Sequence, residues 1–574
     1  MDKIIIPSSP VCAIDALGRK IPEPGTSDSL RENRKVGIFY FLWHSGGNEH
    51  LYNISEITTK DPLAGYKPDD PMWGRVREFH YWGEPFYGYY ILDDEWLVRR
   101  HVKLLAEADI DFLFFDTTNA EIYEPACHAV MRVLQEYAAE GRKAPQALFY
   151  TNTLSGDTIR RIYEEFYKPG LYPDAWFRYE GKPVIIGIPE ECGEETRDYF
   201  NIKLAQWPNE PTKKGGWPWM DFEVPQRVFE NLRGEPESIN VSLAQHPQIV
   251  FGDSLMYGET ANRGRAWHEG ANDKGRNAYI KGLNFAGQFE RALETDPPVV
   301  LVTGWNEWMA RRFQGPPDRP ILFMDCANFE YSRDIEMMRG GYFDNYYMQL
   351  VSYVRKYKGS RGVRPSPNGE RTYFEGFTDG AIKRDSPGWT DALRYLNSTA
   401  RTSIKRVAAR HTGDFLSFEI EPTVIPERTG AFFNIFVSLG KTAGYDFVLN
   451  YAPEGIALPP GKALVAKLHR SAPYSADMPD IPEERPCDRL DDVEIIGENS
   501  LEVGENRVTV TVPLEILGLG PKAAPDREND EIWFKVADSS EPYRVIDDFY
   551  DKGDVLPMGR AGFVYRMEYK WLER

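Results

Sequence analysis

An acid, an amide and two indoles stand close together at residues 305–308, directly after a short apolar run. The run is Val299-Val300-Leu301-Val302-Thr303, and Gly304 separates it from Trp305-Asn306-Glu307-Trp308. A short run rich in Val is typical of a strand buried on both faces of a parallel sheet. Carboxylates carry out acid–base or nucleophilic steps at sugars, amides bind hydroxyls, and indoles stack on pyranose rings. The segment therefore predicts sugar chemistry at the end of a buried strand, with a packed structural turn as the alternative.

Similar apolar runs recur through the first part of the chain and alternate with helical patterns. This alternation is typical of βα units, and eight strands in about this length predict a (β/α)8 barrel. The helical patterns include residues 95–108, 125–139, 157–167, 225–232, 276–293 and 344–357. The predicted strands are residues 36–43, 112–116, 147–151, 183–188, 219–222, 239–244, 299–303 and 321–325.

Polar side chains follow where these predicted strands end. The carboxyl ends of the strands meet on one face of such a barrel, and that face carries the active site. The catalytic candidates are Glu307 and Asp116, with Asp253, Asp325 and Glu190 as further carboxylates. The candidates for substrate binding are Trp305, Asn306, His44, Asn119, Gln245, His246, Trp43, Asp253 and Arg311. Taken singly, each of these residues is more typical of a turn or a cap.

Composition excludes several classes of function. The net charge of −20 argues against nucleic-acid binding and against binding to an anionic membrane surface. The five cysteines are widely scattered, with no CxxC pair, so we expect neither a zinc site nor a disulfide framework. We expect no cofactor and a carbohydrate as the partner, and the oligomeric state stays open. Because the first residues lack a long apolar stretch, the protein is expected to be cytoplasmic, or periplasmic or secreted after loss of a signal peptide.

The residue pattern changes after position 358. Residues 1–358 are predicted to form the barrel, with a long aromatic insertion at 44–94 that forms either a cleft wall or a self-packed unit. Residues 359–369 have the composition of a linker. Residues 370–574 contain alternating segments, among them 415–420, 431–439, 446–450, 507–513, 532–537 and 562–566. This alternation predicts an all-β sandwich.

Two resemblances follow from these motifs. The segment Gly304-Trp305-Asn306-Glu307-Trp308, together with Trp43-His44, resembles family 99 glycoside hydrolases, which are endo-α-mannosidases, and the related family 71. It also resembles a group of bacterial polysaccharide proteins assigned as glycosyltransferases. Residues 533–538, 547–550, 553–554 and 557 resemble scattered positions of family 9 carbohydrate-binding modules.

The first resemblance implies a barrel that acts on glycans, but the chain departs from the family motif. In family 99 a second Glu, three residues after the motif Glu, acts as general acid/base, and here that position is Ala310. A hydrolase therefore needs another carboxylate, and Asp116 is expected to face Glu307 across one cleft. The alternatives are a glycosyltransferase in polysaccharide synthesis and a glycan-binding barrel without catalytic activity.

Overall fold

Two large sheets make up most of the computed structural model. The structure describes residues 10–22, 30–45, 49–258, 261–376, 382–390, 393–397, 403–425, 433–441, 443–453, 458–469, 493–539 and 553–569. Its α-helices are α1 (Ile54–Lys60), α2 (Glu95–Glu107), α3 (Glu124–Ala139), α4 (Ser155–Ile162), α5 (Glu194–Tyr199), α6 (Phe251–Met256), α7 (Leu283–Thr295), α8 (Asn345–Lys358) and α9 (Gly520–Ala523). Shorter helical segments are Ala64–Tyr66, Pro71–Trp73, Tyr163–Tyr167, Pro189–Glu191, Ala278–Lys281 and Leu514–Leu517.

The first sheet is a nearly closed barrel of parallel strands. In spatial order they are β2 (Lys35–Tyr40), β4 (Phe112–Thr117), β5 (Gln146–Thr151), β7 (Lys182–Gly187), β8 (Asn201–Gln206), β9 (Gly216–Pro218), β11 (Pro236–Ser242) and β14 (Val299–Thr303). Seven of the eight neighbouring pairs form parallel ladders, and one of these is β14 with β2, which closes the ring on that side. Ladder pairing is missing only between β9 and β11, where Ser238 Oγ donates to Gly216 O at 3.1 Å. Two short strands lie at the edges, β6 (Arg178–Tyr179) on β7 and β10 (Val228–Glu230) on β11.

Alternation along the barrel strands creates an inner and an outer core. Phe39, Phe114, Leu148 and Leu301 belong to one buried cluster, which fills the barrel. Their chain neighbours, such as Ile38 and Val302, belong to a second cluster that includes the helices. Successive side chains of a strand point to opposite faces, so the parity of each position decides which cluster it joins.

Several sequence-based elements need correction. Residues 321–325 do not form a barrel strand. Instead β17 (Ile321–Leu322) pairs with β16 (Phe313–Gln314) in a hairpin, and β14 is the eighth strand. The fifth strand, β8, was missed, and the sixth strand, β9, ends at Pro218, just before the predicted 219–222. The predicted helix at 225–232 is replaced by β10. Neither the length nor the periodicity of a short apolar run distinguishes a barrel strand from a hairpin strand or a helix segment.

The second sheet is large and mainly antiparallel. It consists of β1 (Val11–Cys12), β18 (Ser366–Pro367), β19 (Thr372–Glu375), β22 (Ile404–His411), β23 (Phe415–Pro422), β24 (Asn434–Ser438), β25 (Phe447–Tyr451), β26 (Lys462–Leu468), β27 (Val493–Val503), β28 (Val508–Pro513), β29 (Asn529–Ser539), β30 (Gly553–Leu556) and β31 (Gly562–Glu568). Phe374 and Phe418 contact Phe534, at 4.9 and 4.8 Å between ring centroids. Strands distant in the sheet order thus pack face to face around an apolar core.

The N-terminal segment and part of the predicted linker both join this second sheet. β1 pairs with β31 in antiparallel orientation, and β18, inside the predicted linker, pairs with β31 in parallel. Three more strand pairs form separate two-stranded sheets: β3 (Phe79–Tyr81) with β15 (Met309–Arg311), β12 (Trp267–His268) with β13 (Ala271–Asn272), and β20 (Arg384–Ser386) with β21 (Tyr395–Asn397). The long-range β3–β15 pair places part of the aromatic insertion beside the segment that follows Glu307.

Candidate functional site

Glu307 forms a buried ion pair with Arg333 beyond the end of β14. Its Oε2 accepts hydrogen bonds from Arg333 Nε at 3.0 Å and Nη2 at 2.7 Å. Glu307 is 1% exposed and Arg333 is fully buried. Burial raises the pKa of Glu307, and the Arg333 guanidinium opposes this rise. Burial by itself would lower the pKa of Arg333, but the charges of Glu307 and Asp325 outweigh it, so the pKa of Arg333 is raised and the side chain stays cationic.

The backbone of Glu307 is fixed by the residue that follows Arg333. Glu307 N donates to Asp334 Oδ1, and Trp82 Nε1 donates to Asp334 Oδ2 at 2.9 Å. The same indole N–H lies 3.1 Å from Glu307 O. Burial raises the pKa of Asp334 to about 7. Sequence reasoning missed Arg333 and Asp334, because charged residues are rarely fully buried and the local sequence gives no sign that these two are.

Asp116 and Asp325 are the other carboxylates of this cluster. Asp116 is the penultimate residue of β4, is 6% exposed, and accepts a hydrogen bond from Thr118 N at 3.0 Å. Burial raises the pKa of Asp116 to about 6, Asp325 adds to the rise, and Arg333 opposes it. The Asp325 side chain is 38% exposed, and its Oδ1 lies 3.3 Å from Arg333 Nη2. Asp325 and Arg333 therefore influence both Asp116 and Glu307.

His246 and two aromatic rings complete the surroundings of Arg333. Arg333 Nη1 lies 3.3 Å from His246 Nδ1. Burial, assisted by Arg333, lowers the pKa of His246 to about 4, so the ring is neutral at pH 7 and its Nδ1 can accept this hydrogen bond. The guanidinium lies 5.2 Å from the Trp219 ring and 5.6 Å from the Phe251 ring. The cation is thus held by carboxylates on one side and aromatic faces on the others.

A cleft of about 560 Å³ opens beside this cluster. Asp325 lines it together with Trp43, Phe79, Asn119, Tyr123 and Arg311. Asn119 Nδ2 donates to Tyr123 Oη at 2.8 Å, and the Trp43 ring packs on Phe41 at 5.3 Å. Aromatic faces, an amide and a carboxylate therefore share one opening, which is the combination that sugar binding requires.

Two residues of the motif face the core instead of the cleft. Trp305 is fully buried and its ring lies 5.6 Å from His101, edge to face. Asn306 Oδ1 accepts from Phe41 N at 2.9 Å, and its Nδ2 donates to Phe41 O at 3.1 Å. These contacts tie the end of β14 to the chain just after β2. The expectation that Trp305 and Asn306 bind substrate is therefore replaced by packing and bracing roles.

Other predicted site residues also have structural surroundings. Gln245 Nε2 donates to Asp221 O at 3.3 Å, and its Oε1 accepts from Asn284 at 3.2 Å. His44 is fully buried beside Tyr90, and burial lowers its pKa to about 3. Asp253 is buried and pairs with Arg319 at 2.6 Å. Glu190 is exposed and lines a different cavity, beside Lys203. We therefore do not assign these residues to the cleft.

The described residues contain neither a metal-binding cluster nor a membrane-spanning helix. No group of three or more His, Cys, Asp or Glu side chains is arranged to hold a metal ion among those residues. No described helix has the length and hydropathy that crossing a membrane requires. Residues 547–550, part of the resemblance to family 9 carbohydrate-binding modules, lie outside the described residues.

Comparison with known proteins gives a distant structural likeness. No family model matches the chain, and no curated protein matches it. A solved structure, the GH99 endo-alpha-mannosidase from Bacteroides thetaiotaomicron, is similar at 15% sequence identity with a TM-score of 0.33. The match covers 58% of this chain and 100% of that chain. A likeness at this level transfers neither substrate nor residue roles.

Proposed function

We propose that this protein is a glycoside hydrolase that acts on a poly- or oligosaccharide at the carboxyl end of the barrel-like sheet. The observation that carries the proposal is that Asp325 lies 3.3 Å from Arg333 and lines the cleft together with Trp43, Asn119 and Tyr123. Buried Asp116 is close enough for the charges of Asp325 and Arg333 to act on its pKa. Glycoside hydrolysis commonly uses one carboxyl group as acid and a second as nucleophile or base. The barrel then belongs to an incomplete (β/α)8 type, in which eight parallel strands keep only part of the helical layer.

Asp116 fits the acid role because burial raises its pKa to about 6. A carboxyl group with such a pKa is still partly protonated near neutral pH and can protonate the glycosidic oxygen as the bond breaks. Asp325 is more exposed, lines the cleft and lies 3.3 Å from the Arg333 guanidinium, and this position suits the nucleophile or base. With Asp116 as the acid, turnover is expected to fall as the pH rises through about 6, because the acid is then ionised.

Glu307 fits a positioning role better than the reacting role expected from the sequence. Its Oε2 is occupied by two hydrogen bonds from Arg333, and the residue is 1% exposed. By holding Arg333, Glu307 fixes the cation that interacts with both aspartates. We therefore propose Asp116 and Asp325 as the reacting pair, in place of Asp116 and Glu307.

Digestion of a glycan panel, followed by mass spectrometry, tests the proposal. On a cleaved substrate, Asp116→Asn and Asp325→Asn are each expected to lower kcat roughly 10²–10⁴-fold. Asp318→Asn is the matched control, because the Asp318 side chain is 77% exposed and pairs only with Arg319 at 3.6 Å among described contacts. Turnover near wild type in either aspartate variant would overturn the proposed pair.

A second candidate is a glycan-binding barrel without catalytic activity. It is favoured by the occupied Glu307 carboxylate and by Ala310 at the position where family 99 carries its acid. The same panel separates the two candidates, since binding without cleavage across the panel supports the second. The accessory role of residues 370–574 in carbohydrate binding stays a prediction in both cases.

A further inference from the structure

Arg311 differs from the other arginines near the candidate site because its guanidinium has neither a carboxylate nor a backbone oxygen as a partner among the described residues. Arg333 pairs with Glu307, and Arg319 pairs with Asp253. Arg312 is buried and donates to the backbone oxygen of Trp73 at 3.4 Å. Arg311 is exposed, lines the cleft, and forms no ion pair with any described carboxylate.

The guanidinium of Arg311 is nevertheless held in place. Its central carbon lies 4.7 Å from the centroid of the Phe79 ring. Arg311 and Phe79 are also register partners in the antiparallel pair of β3 and β15, so strand pairing fixes the backbone of both residues. Stacking uses the face of the guanidinium and leaves its N–H edge available for a planar oxyanion. Less side-chain freedom is then lost when a ligand binds.

The charges around the cleft restrict where an acidic group can bind. Glu121 and Asp325 also line the cleft, and both repel an anion. Arg311 is the only Lys or Arg among the residues that line this cleft. It also acts on Tyr123, whose pKa is raised mainly by burial and lowered slightly by Arg311. An acidic substituent is therefore favoured beside Arg311 and disfavoured beside Glu121 and Asp325.

We propose that the cleft binds an acidic glycan, with Arg311 receiving the carboxylate of a uronate residue through its N–H edge. This inference rests on the proposed sugar-binding cleft and specifies the class of its substrate. Asn119 and Tyr123, which are hydrogen-bonded to each other at 2.8 Å, lie in the same cleft and supply polar groups for the hydroxyls of that residue. Sulfate esters offer a similar oxyanion, and the experiment below therefore measures the binding of sulfated glycans separately from that of uronates.

The test compares matched pairs of glycans. The binding of each uronate-containing polysaccharide is compared with that of its own carboxyl-reduced form, which keeps the linkage and loses the charge. Sulfated glycans form a separate arm of the experiment. Dissociation constants are measured by affinity electrophoresis and calorimetry for the full chain. We expect at least one acidic member to bind more tightly than its reduced form, and Arg311→Gln to remove roughly 10–100-fold of that preference. Arg311→Lys should keep part of it, because the charge remains without the planar fork.

Arg339→Gln is the control, since Arg339 also stacks on a phenylalanine, Phe86 at 5.5 Å, and is similarly exposed, but pairs with Glu84 at 3.3 Å. It should leave the preference unchanged. Equal binding of acidic and reduced forms, no binding by any uronate member, a preference for sulfated members only, or a preference that survives Arg311→Gln would each overturn the inference. Cleavage confined to neutral glycans overturns the inference and leaves the hydrolase proposal in place. Selective binding of uronates without cleavage overturns the hydrolase proposal alone.

Discussion

At the scale of single residues, Asp116 has a position that favours its neutral form over its charged form. Its pKa of about 6 lies above the ordinary value of 3.8 because the carboxyl is buried. A group with a raised folded-state pKa contributes stability that is fully present below the unfolded pKa and lost as the pH rises through the folded pKa. Near pH 8 the folded protein therefore carries a buried charge at a cost in stability.

We expect Asp116→Asn to be more stable than wild type at pH 8, even as it loses activity. The difference between about 6 and 3.8 corresponds to roughly 3 kcal/mol as an upper limit. The amide keeps an oxygen to accept the hydrogen bond from Thr118 N and carries no charge. Urea denaturation at pH 4 and pH 8 measures the effect, and the gain should nearly vanish at pH 4.

Asp296→Asn provides a control in which the change in stability at pH 8 is expected to have the opposite sign. Hydrogen bonding to Arg34 lowers the pKa of Asp296 to about 2, so its contribution is present above the unfolded pKa and lost as the pH falls. This variant should be less stable than wild type at pH 8. If both variants shift stability in the same direction at pH 8, the environment assigned to Asp116 is wrong.

The structure also changes the stability expected of the Glu307→Gln variant. The sequence alone predicts a folded but inactive variant, because Gln keeps the shape of Glu. In the structure the substitution removes the charge that neutralises fully buried Arg333. Breaking a buried pair by removing one partner costs roughly 3–5 kcal/mol, less where a hydrogen bond survives. Reduced turnover is therefore expected together with reduced stability, and thermal unfolding must accompany the kinetic measurement.

At the scale of elements, Asn306 joins the first and last strands of the barrel. Its amide makes two hydrogen bonds to the backbone of Phe41, at 2.9 and 3.1 Å, in a fully buried position. Asn306→Ala should lower the free energy of unfolding by roughly 1–3 kcal/mol, because the Phe41 N–H loses this partner away from water. Asn119→Ala is the matched control, since Asn119 is exposed and lines the cleft.

Denaturant midpoints of the two variants distinguish the roles. Asn306→Ala should shift the midpoint, whereas Asn119→Ala should leave it nearly unchanged and weaken glycan binding instead. An unshifted midpoint for Asn306→Ala, with wild-type structure, would contradict the bracing role. The comparison also decides whether the motif amide belongs to the core or to the binding surface.

At the scale of the whole molecule, the barrel and the second sheet share a buried polar interface. Arg560 pairs with Asp344 at 3.0 Å, and both side chains are 1% exposed. Two residues of α2 also take part: Lys103 pairs with Asp554 at 3.1 Å, and Glu107 Oε1 accepts a hydrogen bond from Met558 N at 2.8 Å. In addition, β1 comes from the N-terminal end of the chain and pairs with β31.

A fragment that ends at Lys358 is therefore expected to be insoluble or unfolded, contrary to the expectation from the linker composition. Truncation removes the partners of Asp344, Lys103 and Glu107 and leaves buried polar groups unpaired. Expression of residues 1–358 with and without residues 359–574 in the same cell tests this. Rescue of solubility by the second fragment is expected. A soluble, cooperatively unfolding 1–358 fragment would show that the interface is dispensable.

Local sequence patterns determined much of the barrel and of the second sheet. Apolar runs located β2, β4, β5, β7, β11 and β14, because burial on both faces demands continuous hydrophobic residues. Five of the six alternating segments after position 370 lie almost wholly within described strands. Of the segment 431–439, residues 433–439 are described, and β24 covers Asn434–Ser438. Short runs such as 219–222 and 321–325 were assigned wrongly, since a few apolar residues fit a strand, a hairpin or a turn equally well.

The composition of the site depended on tertiary structure. The sequence placed Asp116, Glu307, His246 and Asp325 near strand ends. In the structure Glu307, His246 and Asp325 contact Arg333, and Asp116 is close enough for the charge of Arg333 to act on its pKa. Arg333 stands 26 positions after Glu307, and no local period or motif connects the two. Strand alternation stops at Thr303, so it does not predict which way Trp305, Asn306 and Glu307 point. Long-range packing decides those directions, because it alone determines which buried polar groups find partners.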